Sequence, residues 1–218
     1  MQKISFCERY KLTTAVLNGT KTMTRRVEKG LETFEFDYEV HFAHSLEIIN
    51  QYWDEDKNCL AIITPQCKMK APTRYKLGEV VAVAQSYETL ANSGHLDKMV
   101  VPANNPVKCE FKKEYCNPGW LNKMFVRADL MPHQIQITGV SIEKLQAISD
   151  DDCLKEGVFD SNVGYNRFGF RDKHCDHNWY YPTPREAFAA LIDRPGVGRK
   201  GLWYSNPFVV VYEFKLVK

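Results

Sequence analysis

No unbroken apolar run in this chain exceeds six residues, and two runs of five are Val80 to Ala84 and Phe208 to Tyr212. Runs that short cannot cross a bilayer as a helix. Both are rich in β-forming residues, and both follow a turn signal, Gly78 in one case and Pro207 in the other. The core must therefore be assembled from short strands. Further strands are expected over Lys3 to Phe6, over Cys59 to Thr64 before Pro65, and over Gln134 to Thr138, where apolar and polar residues alternate. After Gly139 the apolar parity shifts to Val140 and Ile142, which marks a bulge.

Three helices are expected beside these strands. Glu8 to Asn18 puts Leu12, Ala15 and Val16 on one face and ends at Gly19, a natural residue just past a helix C-terminus. Ser149-Asp150-Asp151-Asp152 is a variant capping box opening a short helix that ends near Gly157. Thr183-Pro184-Arg185-Glu186 is a full box with proline at the first helical position, followed by Phe188, Leu191 and Ile192 on one face. Between these elements lie stretches expected to be irregular insertions, at about 29–58, 88–130 and 158–182. Short strands, few helices and no strand–helix alternation predict an α+β fold: a small β-barrel with flanking helices, as one domain over 1–218.

The composition, 44% hydrophobic and 26% charged, excludes a disordered, collagen-like or coiled-coil chain. The first nine residues hold no apolar signal region, so a cytoplasmic location is expected. The seven cysteines are scattered without a CxxC pair and read as free thiols of a reducing compartment. His174, Cys175 and His177, with His41 and His44, are the sharpest metal candidates. Without a second cluster at ligand spacing they read as loop residues, and neither metal nor cofactor is expected. Net charge is only +2, but its distribution is uneven. Residues 1–30 carry seven lysines and arginines against two glutamates, whereas residues 31–60 carry eight acidic residues against Lys57. The acidic insert at 31–56 is thus a possible surface for a protein partner, or one of two solvated faces that balance each other.

The segment with chemistry in it is Gly19-Thr20-Lys21-Thr22-Met23-Thr24-Arg25-Arg26. A helix ends at glycine and a polar turn presents Lys21, Thr24 and two arginines. In a flat strand Lys21 and Thr24 would point to opposite faces; in a turn they can converge. Neighbouring cations lower a lysine pKa and favour a neutral amine able to act as a base. A threonine hydroxyl needs such a base to become a nucleophile.

Gly19-x-Lys21-Thr22-x-Thr24-x-Arg26 resembles the signature of the ASCH domain family, which has a PUA-like β-barrel fold. Tyr75 to Val83 resembles that family's Y-x-x-G-[DE] strand. Ile142 to Val158 resembles its passage from a strand into an acidic-capped helix, and Ser205 to Phe214 its closing strand. The layout is similar to larger ASCH proteins of phages and prophages. The resemblance covers roughly half the chain and leaves the three insertions unexplained. It implies binding of RNA or of a modified nucleoside. From small enzymes of the family it also implies an amidohydrolase acting on N4-acylated cytosine, with Lys21, Thr24 and Glu156 at the matching catalytic positions. Arg25 and Arg26 would then contact phosphate and Tyr87 would stack on a base. The aromatic runs Gly164 to Phe170 and Trp179 to Tyr181 either extend such a platform or pack against the barrel. The departures are a longer chain, Gln85 where many relatives carry an acidic residue, and an arginine pair in place of one arginine.

Overall fold

The computed structural model describes residues 1–42, 45–92, 122–165, 167–175 and 178–217. In chain order the elements begin with β1 (Lys3–Ile4), α1 (Leu12–Leu17), β2 (Met23–Arg26), α2 (Leu31–Phe42), β3 (Asn50–Asp54), β4 (Cys59–Ile63) and β5 (Lys68–Lys70). They continue with β6 (Val80–Val83), α3 (Tyr87–Asn92), β7 (Gln134–Lys144), α4 (Asp150–Lys155) and β8 (Phe159–Asp160). The last are β9 (Phe168–Phe170), β10 (Trp179–Tyr181), α5 (Pro184–Ile192), α6 (Leu202–Ser205) and β11 (Phe208–Leu216). The fold is α+β, with sheets predominant, and no closed ring of strands forms among the described residues.

The chain divides into two compact units, each built from separate stretches. The smaller comprises residues 1–6, 80–135 and 216–218. In it β1 lies parallel to β6, with Lys3 opposite Ala82 and Ile4 opposite Val83. Ala82, Tyr87, Leu90, Val126 and Met131 form a buried cluster beside this pair. Lys3 Nζ donates to the carbonyls of Met124 at 2.8 Å and Val126 at 2.5 Å, tying the start of the chain to this cluster's last segment.

The larger unit comprises residues 7–79 and 136–215 and holds most of the elements. Its central strands are the greater part of β7, then β11, then β2. β11 runs antiparallel to β2, with Tyr212 opposite Thr24 and Val211 opposite Arg25. Burial along β7 falls on Ile135 and Ile137 and then on Ile142, so the buried parity changes across Gly139. Both N-caps form: the Ser149 side chain accepts from Asp152 N, and the Thr183 side chain accepts from Glu186 N.

Several local expectations are corrected. The helix expected over 8–18 is shorter, because Lys11 takes a left-handed conformation (φ 54°) and the helix starts only after it. The strand at 59–63 pairs with β3 and β5 in a sheet of its own rather than with the strands at 80–83 or 134–144. The strand built on the Val80 to Ala84 run ends at Val83, and Tyr87, expected to stack on a base, opens α3. The insertion at 29–58 is not irregular: it holds α2 and β3. Its alternation of aromatic and acidic residues spreads side chains round a helix, so no single apolar stripe is visible. Phe34, Tyr38 and Phe42, four apart, nevertheless share one face. The insertion at 158–182 forms a three-stranded antiparallel sheet, β8–β9–β10. Of the insertion at 88–130, residues 93–121 lie outside the described residues, as do Cys109, Cys116, His44 and His177. The β3–β5 sheet is tied to β7 by one side chain. Gln51 donates to Ile142 O at 3.1 Å and accepts from Ile142 N at 2.7 Å, as a neighbouring strand would.

Candidate functional site

The site lies within the larger unit, where β2 passes the C-terminal end of α4. Lys21 Nζ donates to Glu156 Oε2 at 2.6 Å and to the Glu156 backbone carbonyl at 2.6 Å. Thr22 N donates to Lys155 O at 3.0 Å. The two residues preceding β2 thus satisfy carbonyls that a helix leaves open at its end, and they bring a cation to the negative end of its dipole. Gly157 makes room for this contact. It adopts φ +105°, and a Cβ there would sit 2.9 Å from Leu12 and 3.6 Å from the Lys21 stem.

Arg25 holds the carboxylate from its other side. Its guanidinium donates to Glu143 at 2.7 Å, to Asp152 at 3.1 Å and to Glu156 Oε1 at 3.3 Å. Asp152 and Glu156 are four apart, so the turn of α4 presents both to the same arginine. The side chains of Lys21, Glu156 and Arg25 are 2%, 5% and 1% exposed. Burial, the larger effect, pushes the Lys21 ammonium below its ordinary pKa; Glu156 opposes this, and Arg26 and Arg25 add to it. For Asp152 burial acts to raise the carboxyl, but hydrogen bonds from Lys155 and Arg25 outweigh it and hold the carboxyl below its ordinary range. Two buried cations face three carboxylates, so the cluster has no surplus positive charge to offer an anion.

Of the residues singled out in the sequence, Lys21, Glu156 and Arg25 are brought together. Thr24 and Arg26 are turned the other way. Side chains alternate along β2, and Arg25 meets Met23 at 3.1 Å on the α4 side. Thr24 therefore shares the opposite face with its cross-strand partner Tyr212. There the Tyr212 hydroxyl accepts from Arg74 N at 2.9 Å and donates to Glu28 at 3.1 Å. Burial, helped by the Glu28 charge, pushes the phenol well above its ordinary pKa. Tyr87 belongs to the smaller unit, buried in its cluster. Gln85, in the same unit, is 1% exposed, and its buried side-chain carbonyl oxygen has no hydrogen-bond donor among the described residues.

Sequence reasoning did not select Glu143, Asp152 or Gly157. The signal for Asp152 was present, since it lies one helical turn before Glu156 inside the capping box. Two shallow cavities of about 380 and 410 Å³ lie elsewhere in this unit, sharing Phe34 and Asp37 of α2; Lys21, Thr24 and Glu156 line neither. Among the described residues no group of histidine, cysteine and acidic side chains is placed to hold a metal ion. None of the described helices is long and apolar enough to cross a membrane. Comparison with protein-family models, curated proteins and solved structures gives no match.

Proposed function

We propose that this chain is a larger ASCH-type protein of PUA-like architecture that acts on a cytosine nucleoside, free or within RNA, by hydrolysing an N4-acyl amide. The observation that carries this reading is the buried Lys21–Glu156 pair, 2.6 Å apart and joining residues 135 positions apart in the chain. Burial lowers the Lys21 pKa and so favours the neutral amine that a base needs, and a carboxylate clamped by Arg25 fixes where its nitrogen points. In the reaction, neutral Lys21 takes the proton of the attacking hydroxyl as oxygen bonds to the acyl carbon. The carbon–N4 bond then breaks, and the proton passes to N4 to restore the amino group of cytosine. Where Thr24 supplies the hydroxyl, water releases the acyl group in a second step; where water attacks directly, the carboxylic acid leaves at once.

The test is incubation with N4-acetylcytidine and longer-chain N4-acylcytidines, with release of cytidine read by chromatography. Turnover that disappears in Lys21→Ala and Glu156→Gln is expected. Thr24→Val separates the two routes, abolishing turnover only if its hydroxyl attacks. A folded protein that releases no cytidine from any of these compounds overturns the catalytic reading. A second reading, binding of the modified nucleoside without turnover, is favoured by the turn of Thr24 toward Tyr212. It expects saturable binding of the same compounds with no product.

A further inference from the structure

The β8–β9–β10 sheet is left unused by the Lys21 centre. Its register sets Phe159 opposite Gly169 and Gly169 opposite Tyr180, so these three residues form one row across the sheet. Residues directly opposite share a face. The middle position has no side chain, and the two rings lean over it, with centroids 5.9 Å apart at 85°. Glycine is required there: a Cβ would collide with the Trp179 carbonyl oxygen and approach the Tyr180 ring at 3.2 Å. Arg171, two residues on from Gly169, falls on the same face and holds its guanidinium 5.5 Å from the Phe159 centroid. Tyr180 is 41% exposed and its hydroxyl is met by Asn178 Nδ2 at 3.1 Å. The other face is the packing face: Phe170 is fully buried and edge-on to Tyr10 at 5.8 Å.

Charge completes the arrangement. Among the described residues of this segment both carboxylates are already engaged, Asp160 with Arg167 at 2.9 Å and Asp172 with Arg9 at 2.9 Å. Arg171 and Lys173 are exposed, and Arg171 stands beside the Phe159 ring. The hairpin joining β8 to β9 carries a further ring, Tyr165, which is 84% exposed. A neutral apolar partner would gain nothing from these cations, and a plain polyanion would gain nothing from the rings.

We propose that the face of the β8–β9–β10 sheet bearing Phe159, Gly169, Tyr180 and Arg171 is a stacking platform for single-stranded nucleic acid. A base stacks on the Tyr180 ring over Gly169, and Arg171 meets the adjoining phosphate. This surface does not depend on the chemistry at Lys21, so either can fail without the other.

The experiment is fluorescence anisotropy of the full chain with labelled ten-nucleotide oligouridine and oligothymidine, with a duplex of the same length and a base-free polyphosphate as controls. Binding of the single strands over both controls is expected. Tyr180→Ala should weaken it by about five- to 150-fold, the range for loss of one stacked base, while Tyr180→Phe retains it. Arg171→Gln should lower the slope of log affinity against log salt by about 0.7. Melting curves establish that each variant is folded; should Tyr180→Ala unfold, Arg171→Glu replaces it, with loss of binding expected. Absence of binding, equal binding of polyphosphate, or unchanged affinity in a folded Tyr180→Ala protein overturns the proposal. Preference between the RNA and DNA strands identifies which polymer the platform takes.

Discussion

Replacing Glu156 by alanine removes the one carboxylate that both Lys21 and Arg25 share. The two ion pairs it makes, at 2.6 Å and 3.3 Å, lie among side chains no more than 5% exposed, where water cannot take over the lost partner. Arg25 keeps Glu143 and Asp152, but Lys21 loses its carboxylate inside the protein. Breaking a buried pair from one side costs about 3–5 kcal/mol. For a chain of this length that corresponds to a fall in Tm of about 6–20 °C. Lys21→Met should cost less, about 1–3 kcal/mol, because Glu156 still accepts from Arg25. Urea denaturation of both variants and of Lys21→Met/Glu156→Ala closes a double-mutant cycle, in which the pair's coupling appears as a double variant less destabilised than the sum. A loss below about 1 kcal/mol for Glu156→Ala would refute the desolvation argument. A Lys21→Met protein as unstable as Glu156→Ala would refute the assignment of Arg25 as the second holder of the carboxylate.

Gly157→Ala should destabilise the unit by about 1–3 kcal/mol in the same assay, since its φ of +105° disfavours a side chain and its Cβ would press on Leu12 at 2.9 Å. Tyr212→Phe should cost about 1–3 kcal/mol, because the backbone N–H of Arg74 and the Glu28 carboxylate both lose a buried partner. Burial pushes the Cys153 thiol from 9.0 to about 12, so the folded state holds this proton more tightly than the unfolded chain does. Its stabilisation is complete below pH 9 and is lost as pH rises toward 12, at up to about 1.4 kcal/mol per pH unit. Lys21, lowered in the folded state, contributes a slope of the opposite sign below 10.5. The measurement is therefore the difference between the parent and Cys153→Ala, whose stability should fall less steeply between pH 9 and 10; parallel curves would count against the burial of the thiol.

What could be read from the chain follows the range of the interactions concerned. Ser149 and Thr183 cap helices within three residues, and both caps form as their sequences require. The β-rich runs at 80–83 and 208–216 form strands because their residues favour that backbone on both faces. The contact of Lys21 with Glu156 spans 135 positions, and the pairing of residue types was visible only through a resemblance. The facing of Thr24 depends on whether residues after Gly19 form a turn or a strand, and β11 decides it by pairing with Met23–Arg26. α2 was hidden by its period-two alternation, which a strand and an aromatic-ringed helix share. Tyr87 was placed at the site only through the resemblance; β6 stops at Val83 and Tyr87 opens a helix in the other unit.

The clasp of Gln51 on Ile142 bears on how the molecule avoids its own copies. A strand position with an N–H and a C=O open to solvent is a template for another chain, and proteins usually blunt it with charge, proline or a bulge. Here a single amide side chain fills both hydrogen-bonding places at once. The device satisfies the backbone without extending the sheet, and Gln51 sits on β3, whose own neighbour is β4. Gln51 takes no part in either proposed site, and its replacement by alanine would leave the Ile142 N–H and C=O without this partner.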